Sequence, residues 1–229
     1  EVELLDFTLH QMPAEQAVKQ VLERAGGLIG VTMPFQPSAQ GVMAFLSAIR
    51  AAGYRDVIAV GGIFPTFAYE DILNACPAID AVVRGDGEQT IVELAEKVLS
   101  GARWQDTMGL AFREGGIRAT DIRPSVKDLD TLPFPARDTL AEVYAREKTA
   151  SMYTSRGCYG KCTFCSIVPF FKMQGTAIRF RSAKNVVDEM EELVKNHGVK
   201  NIMFDDSNFT NSRQRCIDIA NEILARGIR

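Results

Sequence analysis

The chain has 229 residues, 46% of them hydrophobic and 24% charged, with 26 Lys and Arg against 29 Asp and Glu. That length serves one large domain or two modest ones at roughly 100–200 residues each, and the composition is that of an ordinary globular protein. A net charge of −3 supplies no basic field for a nucleic-acid backbone, and apolar runs such as Val57–Ile63 fall far short of the ~20 residues that cross a bilayer.

In chain order, Glu1–Phe7 reads as a strand and Pro13–Arg24 as a helix with Ala14, Ala17, Val18 and Val21 on one face. Gly27–Met33 is a short apolar run of the buried-strand type. Ala39–Ala52 follows as a helix closed by Gly53, and Asp56–Val60 is a second apolar strand running into Gly61-Gly62. A short helix over Tyr69–Asn74, a strand over Ala81–Arg84 and a helix over Thr90–Leu99 complete this stretch. Near-continuous apolar strands separated by helices predict a parallel sheet covered on both faces, and such sheets bind ligands at the carboxyl ends of their strands. Those ends read Thr32–Ser38, Gly61–Thr66 and Arg84–Thr90. Glycines there let a ligand approach the backbone, and Gly85–Thr90 opens a helix whose first amides are free donors. Each turn alone is equally well a plain tight turn, but three on one edge point to a ligand crevice.

Residues 103–149 change character. Met108–Arg113 and Ile117–Ala119 flank Glu114-Gly115-Gly116 as a β-hairpin, and Leu132-Pro133-Phe134-Pro135-Ala136-Arg137 is an extended connector that marks a domain boundary. From Ala150 the alternation resumes with a strand over Ala150–Ser155, followed by a cysteine-bearing loop. Ser182 is the N-cap of a long helix with Val186, Val187, Met190 and Leu193 on its apolar face and Gly198 beyond its end. Asn201–Phe204 is a strand. Ser212–Ala225 is a helix with Cys216, Ile217, Ile219, Ala220, Ile223 and Leu224 expected inside. The start at Glu1 within a strand-like segment, and the close at Arg226–Arg229 leading towards another strand, predict the middle of a longer protein.

Five cysteines occur, at 76, 158, 162, 165 and 216. An odd number with three clustered is unlike a secreted disulfide framework and suits metal or redox chemistry in a cytoplasmic protein. Cys158, Cys162 and Cys165 have the spacing C-x3-C-x2-C. Three thiolates so close suit a soft metal or an iron–sulfur cluster, whereas structural zinc would want a fourth ligand nearby. Cys76 and Cys216 lie in helical contexts that core packing explains.

Ser155-Arg156-Gly157-Cys158, the cysteine spacing, and Phe164 just before the third cysteine resemble the signature loop of the radical S-adenosylmethionine (SAM) superfamily. Val60–Thr66, Arg84–Glu88 and the Leu132–Arg137 connector resemble the B12-dependent branch, in which a cobalamin-binding domain precedes the radical SAM core. The resemblance implies an α/β chain in three parts. Residues 1–102 would form a Rossmann- or flavodoxin-like cobalamin-binding domain whose first strand lies before Glu1. Residues 103–149 would be the hairpin and connector, and 150–229 the start of a partial (β/α)6 TIM-type barrel.

The same resemblance implies the cofactors and their residues. Cys158, Cys162 and Cys165 would ligate a 4Fe–4S cluster whose fourth iron SAM chelates, and Phe164 would lie against the adenine. The motif that meets the SAM amino group falls on Asp205, Asp206 and Ser207, in place of the commoner Gly-Gly-Glu, without deciding which Asp serves. Cobalamin would lie across Thr32, Ser38, Gly61, Gly62, Thr66, Gly85, Gly87 and Glu88. No D-x-H-x-x-G motif supplies a lower axial histidine, since Asp6 and His10 have the wrong spacing, and His10 reads as a loop residue.

The implied activity is reductive cleavage of SAM to a 5′-deoxyadenosyl radical. Its commonest outcome in this branch is methylation of an unactivated carbon in a small molecule or natural product, with electrons from a flavodoxin- or ferredoxin-type donor. The alternatives are a B12-binding radical SAM cyclase or rearrangement enzyme and a radical SAM enzyme that has lost B12. From another class comes a cobalamin-binding sensor or carrier module with a structural metal site. No catalytic residue is identified from sequence.

Overall fold

The computed structural model describes residues 2–228, and the chain divides into two compact units, 1–125 and 126–229. In the first unit, the strand expected over Glu1–Phe7 is absent among the described residues. Leu5 and Phe7 pack instead on the core, Phe7 standing edge-on to Phe45 at 5.7 Å. Without a neighbouring strand to take its backbone ladder, an apolar segment gains more by lying on a helix face.

Helix α1 (Ala14–Arg24) begins directly after Pro13, where a missing N–H costs nothing, and buries Ala17 and Val21. Strand β1 (Leu28–Thr32) leads to α2 (Gln36–Ala51), which starts three residues before Ala39 because Pro37 is compatible with a helix's first turn. Strand β2 (Val57–Gly61) runs into α3 (Ile63–Ala75), which begins right after Gly62 and is bent at Ala68. Strand β3 (Ala81–Val83) precedes α4 (Glu88–Ser100), closed by Gly101 in the left-handed region. A hairpin of β4 (Leu110–Arg113) and β5 (Ile117–Ala119) completes the unit.

The sheet order is β1-β2-β3-β4-β5, with β1 to β3 parallel and β4 and β5 antiparallel. β1 pairs with β2 over five residues, so the described sheet has no interior gap. The hairpin belongs to this sheet because β4 buries Leu110, Ala111 and Phe112 beside β3. Helices cover both faces. Leu46, Ile49, Ile58, Val60, Ile72 and Ile79 fill one core, while Ala59, Ala81, Val83, Leu94, Leu110 and Phe112 fill the other. Buried Tyr54 donates its hydroxyl to the Gly26 carbonyl at 2.8 Å.

In the second unit the connector runs extended from a 3-10 turn (Leu129–Thr131) to helix α5 (Leu140–Glu147). The single strand expected over Ala150–Ser155 is two. β6 (Ala150–Met152) pairs in parallel with β9 (Ile202–Phe204), and β7 (Ser155–Gly157) pairs antiparallel with β8 (Ile178–Phe180). The break falls at Thr154, whose N–H turns aside to the Asp206 carboxylate. The cysteine loop and short helix α6 (Ile167–Lys172) lie between β7 and β8.

Helix α7 (Ala183–His197) carries the expected caps, Ser182 Oγ accepting from the Asn185 N–H at 3.1 Å and Gly198 left-handed at its end. With β6 and β9 it makes one β-α-β crossover, and both small sheets are open rather than a closed barrel. Helix α8 (Arg213–Ala225) packs on a narrower stripe than expected. Ile219 is buried and Ile223 half-buried, but Ile217, Ala220 and Leu224 face outward, Leu224 with 76% exposure. Among the described residues no helix is long and apolar enough to cross a membrane.

Candidate active site

The β7–β8 ladder closes the base of the cysteine loop, with Gly157 opposite Ile178. Within the loop the Gly160 N–H donates to Cys158 Sγ at 3.2 Å, and the Cys165 N–H donates to the Cys162 carbonyl at 3.2 Å. A Cβ on Gly160 would lie 3.3 Å from Cys158 Sγ and 3.9 Å from Cys162 Sγ, so both sulfurs flank the same bare stretch of backbone. Cys158 and Cys165 are half-buried, Cys162 is exposed, and Phe164 is 91% exposed beside them.

Among the described residues, no three His, Cys, Asp or Glu side chains converge closely enough for a single metal ion. A cubane takes each thiolate on a different iron, so its ligands surround a cage instead of meeting at a point. Three free thiols, an amide directed at sulfur and a glycine cradle fit that larger group.

The two acidic residues after β9 have different surroundings. The Asp206 carboxylate accepts from the Thr154 N–H at 2.6 Å, from Thr154 Oγ1 at 2.6 Å and from Ser155 Oγ at 2.5 Å. Half-buried Asp205 donates its N–H to the Met152 carbonyl at 3.0 Å, and its carboxylate has no hydrogen bond or ion pair among the described residues. Ser207 is exposed.

Behind this segment stands Arg215, 8% exposed, which sequence reading missed. Its Nη2 donates to the Thr154 carbonyl at 2.6 Å and its Nε to the Arg181 carbonyl at 3.4 Å, with the rings of Phe180 and Phe209 against the guanidinium. Burial pushes this guanidinium below its ordinary pKa, and the Asp206 charge opposes that. The available signal was position, since Arg215 lies one turn before Ile219 on the inward stripe of α8. Glu189, 2% exposed, was also missed. It bridges Arg137 of the connector and Arg181, both at 2.5 Å, and Arg137 also donates to the Ser151 carbonyl at 3.2 Å.

In the first unit, Thr32 pairs with Gly61 and Gly61 with Val83, so β1, β2 and β3 end level and their following turns share one edge. Thr32 is exposed at that edge, and so is Phe35. Ser38 is exposed too, but its hydroxyl donates back to the Phe35 carbonyl at 2.8 Å. Gly62 has φ 122°, and a Cβ there would meet the Met33 carbonyl oxygen at 3.0 Å. Thr66 is buried and does not face the edge. Its Oγ1 donates to the Gly62 carbonyl at 2.8 Å and accepts from the Gly85 N–H at 3.0 Å, bracing the second turn to the third. Gly87 caps α4 and Glu88 is its first residue, both half-buried. Arg84 lies over the Tyr69 ring at 4.6 Å and donates to the Thr120 carbonyl at 3.1 Å.

Residues 1–95 match the family described as the B12 binding domain. An uncharacterized methyltransferase of Pyrococcus horikoshii is 35% identical over 175 residues, covering 75% of this chain and 38% of that protein. The anaerobic magnesium-protoporphyrin IX monomethyl ester cyclase of Rubrivivax gelatinosus is 29% identical across all of this chain and 42% of its own length. The solved radical SAM methyltransferase TsrM from Kitasatospora setae, with cobalamin and a 4Fe–4S cluster bound, superposes with a TM-score of 0.79 at 25% identity, covering 99% of this chain and 46% of that one. The chain thus spans less than half the length of these relatives. Residues 1–95 are thus a B12-binding domain, and the chain as a whole resembles the cobalamin-dependent radical SAM proteins in sequence and fold.

Proposed function

We propose that the chain carries cofactor-binding parts of an enzyme that methylates an unactivated carbon of a small-molecule substrate. The observation that carries this reading is the three-thiol loop, built on its own strand pair, in the same chain as a B12-binding domain. Cys158, Cys162 and Cys165 hold the 4Fe–4S cluster, and exposed Phe164 offers its face to the SAM adenine. Asp205, whose carboxylate is uncommitted, accepts the SAM ammonium through a charge-assisted hydrogen bond, with Ser207 beside it. Asp206 is already spent on Thr154 and Ser155.

Cobalamin lies along the level strand ends of the first unit. Thr32, Gly61, Gly62, Gly85, Gly87 and Glu88 face it, while Ser38 and Thr66 hold the shape of the turns. When bound, these groups supply a one-electron reductant, a sulfonium that yields a 5′-deoxyadenosyl radical, and a methyl carrier. The protein's part is to hold them in register and keep water away from radical chemistry. Five unpaired thiols suit the cytoplasm, where a flavodoxin- or ferredoxin-type protein supplies electrons.

The test is anaerobic incubation of the full-length protein with SAM, hydroxocobalamin and a strong reductant, scoring 5′-deoxyadenosine and S-adenosylhomocysteine. Both products are expected, and absence of both overturns the reading. The Rubrivivax cyclase supports a second reading, ring closure without methyl transfer. That reading predicts 5′-deoxyadenosine alone and a product with no added methyl mass.

A further inference from the structure

Ser155 stands three positions ahead of Cys158, and it and Thr154 are both buried. Every polar group of Thr154 is engaged. Its N–H and Oγ1 bond to Asp206, while its carbonyl accepts the Arg181 N–H at 3.1 Å and Arg215 Nη2 at 2.6 Å. Ser155 Oγ adds a third hydrogen bond to Asp206. The segment from which the cysteine loop departs therefore cannot slide or rotate without breaking several buried hydrogen bonds, each costly to leave unmade. The neighbouring carboxylate of Asp205 takes none of these donors.

We propose that Asp206 is a positioning residue for the iron–sulfur cluster, setting the cysteine loop on its base through Thr154 and Ser155 without touching SAM. This rests on the reading of the loop as a cluster site and assigns the two adjacent carboxylates separate duties. Metal-site ligands need supporting residues that hold them to about half an ångström, and buried hydrogen bonds to a fixed carboxylate provide that support. Keeping Asp206 within this bracket also leaves one anion rather than two to meet the SAM cation.

The test compares Asp206→Ala, Thr154→Val, Thr154→Ser and Asp205→Ala with the parent, each full-length protein reconstituted anaerobically. The readouts are loss of iron to a chelator and the electron paramagnetic resonance spectrum of the reduced cluster, with and without SAM. Asp206→Ala and Thr154→Val are expected to lose iron about tenfold more readily and to alter the SAM-free spectrum. Thr154→Ser keeps the hydroxyl and should match the parent. Asp205→Ala should leave the SAM-free spectrum unchanged and weaken only the SAM-induced shift. Because Thr154→Val removes one hydroxyl from an otherwise intact protein, it decides the matter if Asp206→Ala does not fold. The inference fails if Thr154→Val matches the parent, if Thr154→Ser behaves like Thr154→Val, or if Asp205→Ala disturbs the SAM-free spectrum. A parent protein that takes up no cluster overturns the reading of the loop itself, and that outcome is distinct from the others.

Discussion

A Cβ on Gly157 would stand 1.9 Å from the carbonyl oxygen of Ala177, a separation that no side-chain carbon tolerates. Gly157 ends β7 one residue before Cys158, and its φ of 92° lies in the region that favours glycine. Gly157→Ala is expected to push β8 off β7 and open the base of the cysteine loop. The backbone term alone costs about 1–3 kcal/mol, and the overlap adds to it. Iron content should collapse while cobalamin uptake persists, measured on the same anaerobic preparation.

The five cysteines divide by surroundings. Replacing Cys158, Cys162 or Cys165 with Ala should abolish cluster absorbance and SAM cleavage. Cys76 is buried against Ser47 and the Met43 carbonyl, and Cys216 contacts the Phe209 carbonyl. Cys76→Ala and Cys216→Ala should therefore keep the cluster. A cluster lost in Cys216→Ala would show the ligand set to be wrong.

Glu189 neutralises two guanidiniums from the interior of the second unit. Removing one partner from a buried ion group leaves uncompensated charge and typically costs about 3–5 kcal/mol. Glu189→Gln should lower the urea midpoint of the second unit accordingly. It should also loosen the connector, read as faster proteolysis near Pro133–Arg137. An unchanged midpoint would mean that the trio is solvated.

Tyr54 provides a pH test in the first unit. Burial, reinforced by the Asp56 carboxylate, pushes its phenol up from the ordinary 10 to about 12. The folded state therefore favours the neutral form. The resulting stability is complete below pH 10 and is lost as pH rises from 10 towards 12. Tyr54→Phe also lacks the hydrogen bond to Gly26 and should be about 1 kcal/mol less stable at neutral pH. Thermal melts of the two proteins should converge as the solution becomes alkaline.

Much of the first sheet was legible because β1, β2 and β3 are short apolar runs bounded by turn residues, a local signal. The caps at Ser182, Gly101 and Gly198 are local too. Other elements were set by distant partners. Ile178–Phe180 is a strand only because β7 lies beside it, and an arginine at its centre hides it from any apolar pattern. The helix expected from Tyr69 begins instead at Ile63, and Pro65 sits in the first turn of α3, where its missing N–H is harmless. Thr66 was the right residue type for a ligand edge, but its hydroxyl is turned inward to Gly62 and Gly85. Asp205 and Asp206 are chemically identical, and only folding separates the free carboxylate from the committed one.

The fully engaged Thr154 peptide also bears on the dynamics of the second unit. Its amide hydrogen is shielded from water and bonded to a fixed carboxylate, while its carbonyl is held by Arg181, just after β8, and by Arg215 of α8. No local fraying can expose that hydrogen, so it should exchange with deuterium only when the whole unit opens. A single slow amide beside the cysteine loop would then report the global opening free energy of the unit that carries the three thiols.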